Sequence, residues 1–195
     1  MAEGNDIAVR HARACQRFGQ AVTAADMRWD RPSPCTGWDA RAVLEHVIGF
    51  HDVLLLRPMN LKPQRPRDDP SQRWLVTNEA LQTLLSRPGL LDAPIDIPAV
   101  GNNPAMQLHA GPLVAGLTQD VLVHTWDLAR AVGADDRLDP DLCEHYLQRL
   151  PADPHALVTS GMFAPAVDVD ASQTEQTRLL ARLGRDPTWQ PPRNS

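Results

Sequence analysis

His124 follows Asp120 by four residues. On a helix that interval puts both side chains on one face, about one turn apart. A carboxylate and an imidazole so placed could grip one divalent ion, as two histidines do in HExxH. A third donor has to come from another segment, and His46 is the best-placed candidate. Its neighbours Val43, Leu44, Val47 and Ile48 are apolar, which turns His46 toward a helix-packed interior. Two ligands from one helix and one from a facing helix is how bundles build metal sites in their cores. Mixed imidazole and carboxylate donors suit zinc best, with nickel as the alternative. Three protein ligands leave positions open for water or a thiolate, so a low-molecular-weight thiol held there would be an activated nucleophile. An Asp–His pair at this spacing is also a common hydrogen bond or surface ion pair, and spacing alone does not bring His46 to His124.

Other chemically capable residues carry weaker signals. His51 lies five positions beyond His46, about 140° around a helix, and is expected near the rim or in solvent. Asp127 either orients a neighbouring group or is a surface carboxylate. Trp38 either lines the mouth of a site or anchors the start of a helix, the second being preferred. His109 precedes the fourth helix and could reach a pocket; His11, His145 and His155 show no pattern. Cys15, Cys35 and Cys143 are far apart, without CxxC spacing, which argues against a cysteine zinc site. Cys15 and Cys143 sit in helical patterns and read as buried thiols. No GxSxG, P-loop or dinucleotide fingerprint is present.

The elements that must position these residues are helices. Aromatics make up 5% of the chain, and Ala, Leu and Val fill the apolar positions, a composition that suits close-packed helices. Apolar periodicity predicts a first helix over about Asp6 to Ala25. A second follows Asp39, a good N-cap, and carries His46 to about Leu56. A Pro-, Arg- and Asp-rich surface loop spans Pro58 to Pro70, and a third helix runs over about Ser71 to Ser86. The stretch to Gly111 contains Pro94, Pro98, Gly101 and Pro104 and reads as irregular or briefly extended. The fourth helix, about Pro112 to Val132, is the clearest, with Gly133 as its stop. A short helix over Pro140 to Leu150, a loop with Pro151, Pro154 and Pro165, and a last helix over about Ser172 to Leu183 complete the chain. The expectation is an all-α protein, a four-helix core with short additional elements. It is expected as a single domain over 1–195, with 134–195 an extension on or beside the bundle.

The length of 195 residues and 43% hydrophobic content allow one sizeable core. With 24 acidic residues against 19 basic ones the net charge is −5, and no basic stripe exists to displace counterions from phosphates, so nucleic acid binding is excluded. No apolar run approaches the roughly 20 residues of a membrane span, and the first residues do not resemble a signal peptide; a cytoplasmic location is expected. Lys62 is the only lysine beside 18 arginines, a bias that goes with high genomic GC content.

Two segments resemble a known family. Thr36-Gly37-Trp38-Asp39 followed by Arg41-Ala42-Val43-Leu44-Glu45-His46-Val47-Ile48-Gly49 is similar to the start of the metal-binding domain of mycothiol-dependent maleylpyruvate isomerase, which has a DinB-like fold. Asp120 through Ala131, with His124-Thr125-Trp126-Asp127, resembles its second motif. Leu179 to Pro187, with Gly184-Arg185-Asp186-Pro187, resembles the ending of an uncharacterised actinobacterial branch of the superfamily. The resemblance implies a DinB-like four-helix bundle with His46, Asp120 and His124 as metal ligands, although the isomerase pattern has glutamate where this chain has Asp120. It implies mycothiol as the thiol and a small electrophile as its partner, in S-transfer or isomerisation. The residues after Val132 do not resemble the isomerase's further domain, which argues against maleylpyruvate isomerisation itself. The alternative is a bundle that binds metal or a small ligand without turnover, or one that binds no metal if Asp120 turns away from His46. The oligomeric state stays open, a homodimer included.

Overall fold

The computed structural model describes residues 2–99, 104–153, 155–159 and 161–192. Gly101 and Pro154, read above as loop punctuation, lie outside the described residues. The architecture is helical throughout apart from one small hairpin. Helix α1 spans Ala2–Ala25, α2 Ala40–His51, α3 Pro70–Leu85 and α4 Ala110–Val132; α5 (Pro140–Leu147), α6 (His155–Thr159) and α7 (Glu175–Arg182) follow. Strands β1 (Pro94–Ile97) and β2 (Met106–His109) pair antiparallel in the stretch expected to be irregular or briefly extended.

The helix starts follow from local chemistry. Asp39 accepts the backbone N–H of Ala42 at 2.7 Å and caps α2. Asp69 and Asp139 do the same for α3 and α5, each just ahead of a proline at the first helical turn, where no N–H is needed. Gly133 ends α4 with a left-handed φ of 65°. Beyond His51, α2 widens into a π-helical turn over Asp52–Leu56, which lets Leu55 and Leu56 both reach the interior. The loop expected on the surface between Pro58 and Pro70 is pinned by Arg65, which donates to Asp52 and Thr77, both buried.

Helix α4 is the centre of the molecule. It packs against α1 and α2, and α3 completes the bundle on α1 and α2. Seventeen of its 23 residues are buried, so its polar side chains need partners inside the protein. One apolar cluster joins Phe18, Leu44, Trp126 and Leu128 with Leu142, Tyr146, Leu157, Leu179 and Leu183 of the C-terminal segment. A second lies beneath the hairpin, around Leu55, Leu81, Ile95, Leu113 and Leu117. The segment after Pro151, read as a loop, contains the single-turn helix α6. No helix among the described residues is long and apolar enough to cross a membrane.

Candidate metal centre

Helices α2 and α4 bring His46, Asp120 and His124 together. The Nε2 of His46 lies 3.2 Å from Asp120 Oδ1, and the Nε2 of His124 lies 3.5 Å from the same oxygen. One donor atom from each residue falls within 4.8 Å of the other two. For donors about 2.0–2.1 Å from a tetrahedral ion, the distance between neighbouring donors is about 3.3–3.4 Å. The two separations from Asp120 bracket that value and the third is within 4.8 Å, a spacing that suits the ligand set of one divalent ion.

The surroundings favour the same reading. His124 Nδ1–H donates to Asp127 Oδ2 at 2.9 Å, which in the neutral ring leaves Nε2 as a lone pair. That lone pair faces a carboxylate oxygen, so either a proton or a cation has to sit between them. Without a metal it is the proton. Burial disfavours the imidazolium, but the Asp120 charge and the hydrogen bonds of Asp120 and Asp127 raise the His124 pKa well above its ordinary value. Asp120 is the converse: burial opposes its ionisation, and the charge and hydrogen bond of His124, with those of His46, pull it far below the carboxylate range. Its second oxygen, Oδ2, is buried without a hydrogen-bond partner among the described residues, an acceptor that a cation would satisfy.

A second layer holds His124 in place. Asp127 is fully buried and accepts from Arg185 twice, at 2.9 and 3.3 Å. Burial would raise the Asp127 carboxyl, but the His124 hydrogen bond and the Arg185 charge hold it at about 2. Cys35 Sγ also donates to Asp127 Oδ2, at 3.2 Å, and receives Arg185 Nη2 at 3.4 Å. Cys35, His124 and Asp127 form a second close group of possible ligands; with Asp127 engaged by Arg185 and by His124 Nδ1, that group orients the imidazole. A carboxylate behind a metal-binding histidine is the usual way its ring is fixed.

Of the weaker candidates, Asp127 is the orienting group and no surface carboxylate. Trp38 combines both roles considered for it: it packs on the main core and its ring lies 4.9 Å from that of His46 and 5.9 Å from that of His124. His109 is exposed, with Nδ1 on the Asp92 carbonyl. The expectation for His51 is overturned: it is fully buried, its Nδ1–H donating to the Val47 carbonyl at 2.6 Å and its ring 5.2 Å from that of buried His11. Residues 140° apart on a helix are both interior when the helix is packed on two sides, and α2 lies against α4 and α3. Cys35 and Arg185 went unread as site residues. Cys35 precedes the Thr36-Gly37-Trp38-Asp39 motif, and Arg185 lies in the Gly184-Arg185-Asp186-Pro187 run, the one signal that pointed there.

The cluster opens into a cavity of about 830 Å³. Residues of α4 form one wall, and Leu150, Leu157 and Phe163 of the C-terminal segment form another.

Comparison with known proteins gives the chain relatives. The sequence model described as the mycothiol maleylpyruvate isomerase N-terminal domain matches residues 10–129, a span that holds His46, Asp120 and His124 and leaves out Arg185. Two uncharacterised proteins of Mycobacterium tuberculosis, from strains CDC 1551 and H37Rv, are each 32% identical over 144 residues, covering 70% of this chain and 73% of theirs. No solved structure matches the chain.

Proposed function

The chain belongs to the mycothiol maleylpyruvate isomerase N-terminal domain family, and from that membership and the site geometry we propose that it is a metal-dependent thiol S-transferase or isomerase. His46, Asp120 and His124 hold the ion, zinc in preference to nickel, and the thiol is mycothiol. The observation that carries this reading is the placement of two imidazole nitrogens at 3.2 and 3.5 Å from one carboxylate oxygen, with the other nitrogen of His124 tied to buried Asp127. A divalent ion bound there lowers the pKa of a thiol and so supplies thiolate near neutral pH.

The chain's own residues do the rest. Asp127, held by Arg185, keeps the His124 ring turned so that Nε2 faces the site. Trp38 and Phe50 flank the His46 ring, at 4.9 and 4.2 Å between centroids, and limit its orientations. The cavity above the cluster receives the electrophile. In S-transfer a sulfur–carbon bond forms as the bond to the leaving group breaks with its electron pair, and the thiol proton passes to solvent. In isomerisation the thiol adds to a conjugated double bond and leaves after rotation, with no net change in composition.

One observation favours a second reading, a bundle that binds without turnover. Asp127 and Arg185 are committed to each other and the Cys35 thiol donates to Asp127, which leaves no free carboxylate or imidazole base beside the three ligands among the described residues. The experiment is calorimetry of zinc-loaded protein with mycothiol in two buffers of different ionisation enthalpy. The proposal expects binding with proton release near neutral pH; no heat and no thermal shift at millimolar mycothiol removes the thiol reading, and binding without turnover of any electrophile selects the second.

A further inference from the structure

The cavity's chemistry goes one step past the reaction class. Resting on the transferase or isomerase reading for its position over the reacting atoms, we propose that the cavity takes an apolar electrophile carrying at most one acidic group, with that group toward Arg149.

The walls come from three parts of the chain. Leu54 follows from the π-helical turn, Leu113, Leu117 and Val123 from α4, and Leu157 and Phe163 from the C-terminal segment. At about 830 Å³ the space is within the range that takes drug-sized ligands. Its rim is apolar as well, with Leu108 37% and Met162 59% exposed. Surface of that kind binds hydrocarbon by removing it from water.

Charge sets the limit on acidic groups. Besides His124, whose ring faces the Asp120 carboxylate, two cationic side chains among the described residues line the cavity, Arg149 and Arg185. Arg185 is spent on Asp127 through two hydrogen bonds. Arg149 is exposed, donates Nη1 to the His145 carbonyl, and has no carboxylate partner among the described residues. One acid therefore finds a counter-charge. A second would be desolvated against leucine walls, a large cost for an ion, because Arg185 is held by Asp127, His124 faces Asp120 and the open position on the metal belongs to the thiol. This chain is accordingly fitted to monoacids or neutral molecules and ill-suited to a dicarboxylate.

The test uses the 195-residue chain, metal-free and zinc-loaded, with octan-1-ol, octanoate and octanedioate as matched probes, read by calorimetry and by intrinsic fluorescence, to which Trp38 in the cavity wall contributes beside four other tryptophans. Octanoate and octanol are expected to bind the metal-free protein at least tenfold more tightly than octanedioate. Arg149→Gln should weaken octanoate and leave octanol unchanged. Gly116→Trp should weaken both by tenfold or more while the helical circular dichroism is retained, because Gly116 lines the cavity on α4 and an added Cβ there meets nothing within 4 Å, so the ring projects from an unobstructed position. Octanedioate binding as tightly as octanoate, or Gly116→Trp leaving octanoate binding intact, overturns the inference. The two levels separate cleanly: probes that bind as expected to a protein unresponsive to metal and thiol sink the proposed function alone, and metal and thiol binding without the octanoate preference sinks this inference alone.

Discussion

At the scale of single residues, the site rests on how two nitrogens of one imidazole are used. Asp127 claims Nδ1 of His124 and turns Nε2 toward Asp120. Asp127→Asn keeps an acceptor for the ring but strands the Arg185 charge, and metal affinity should fall about 10–100-fold, the usual effect of removing such a partner; competition with a chromophoric chelator measures it. The pH dependence follows from the raised His124 pKa. In the metal-free protein His124 is protonated near neutrality, so metal binding releases that proton and the apparent affinity rises with pH until the raised value is passed. Stability without metal has two edges. His124, raised on folding, contributes stability that is whole below about 6.5 and is lost as pH climbs through its folded value. Asp120, depressed on folding, contributes stability that is whole above about 3.8 and is lost as pH falls through its folded value. Denaturant midpoints of chelated protein should therefore be highest between those limits and decline on both sides; a flat profile from pH 4 to 9 would contradict the ion pair. The Asp120–His124 pair was legible in the sequence because i,i+4 spacing is local. Cys35 and Arg185 were not, because they reach Asp127 from 92 and 58 residues away, and no periodicity reports contacts at such separations.

At the scale of elements, α2 and α4 do the positioning, and each announces itself differently. Leu113, Leu117, Val121, Leu122 and Leu128 wrote α4 into the apolar pattern, and Gly133 marked its end. Asp39 marked the start of α2, but nothing in Asp52-Val53-Leu54-Leu55-Leu56 distinguishes a π-turn from a continued α-helix, since the difference is only that each hydrogen bond reaches one residue further along the chain. The burial of His51 was illegible for a related reason: helical angles say which residues share a face, and only packing says how many faces are covered. The hairpin has two short strands, β1 with only Ile95 buried and β2 exposed throughout, so no period of two stands out. The C-terminal segment reaches the site through a tight turn at Gly184. Its φ is 78°, and an added Cβ would lie 2.6 Å from the Ala164 carbonyl oxygen. Gly184→Ala should cost about 1–3 kcal/mol by the strain of that conformation. Because Arg185 is the next residue, the same substitution should weaken metal binding, which a stability loss elsewhere in the bundle, such as at the exposed end of α7, would not do. Denaturation curves and metal titrations on the one variant check both parts.

At the scale of the molecule, four packed helices and a C-terminal segment sharing their apolar core supply the folding energy, and the proposed ion would add to a structure that is already formed. His124→Ala should therefore lose the metal and keep its helical circular dichroism. Chelation should lower the melting temperature of the parent, by an amount that grows with free metal as mass action requires, without unfolding it at 25 °C; unfolding on chelation would make the ion structural, as in a zinc finger. The central claim is that one ion sits between His46, Asp120 and His124. Anomalous diffraction at the zinc edge, on crystals of untagged protein grown with equimolar zinc, tests it most directly. The account predicts one strong peak per chain, about 2.0–2.2 Å from His46 Nε2, an oxygen of Asp120 and His124 Nε2. A peak at other residues, or none with the three side chains ordered as described, would contradict it.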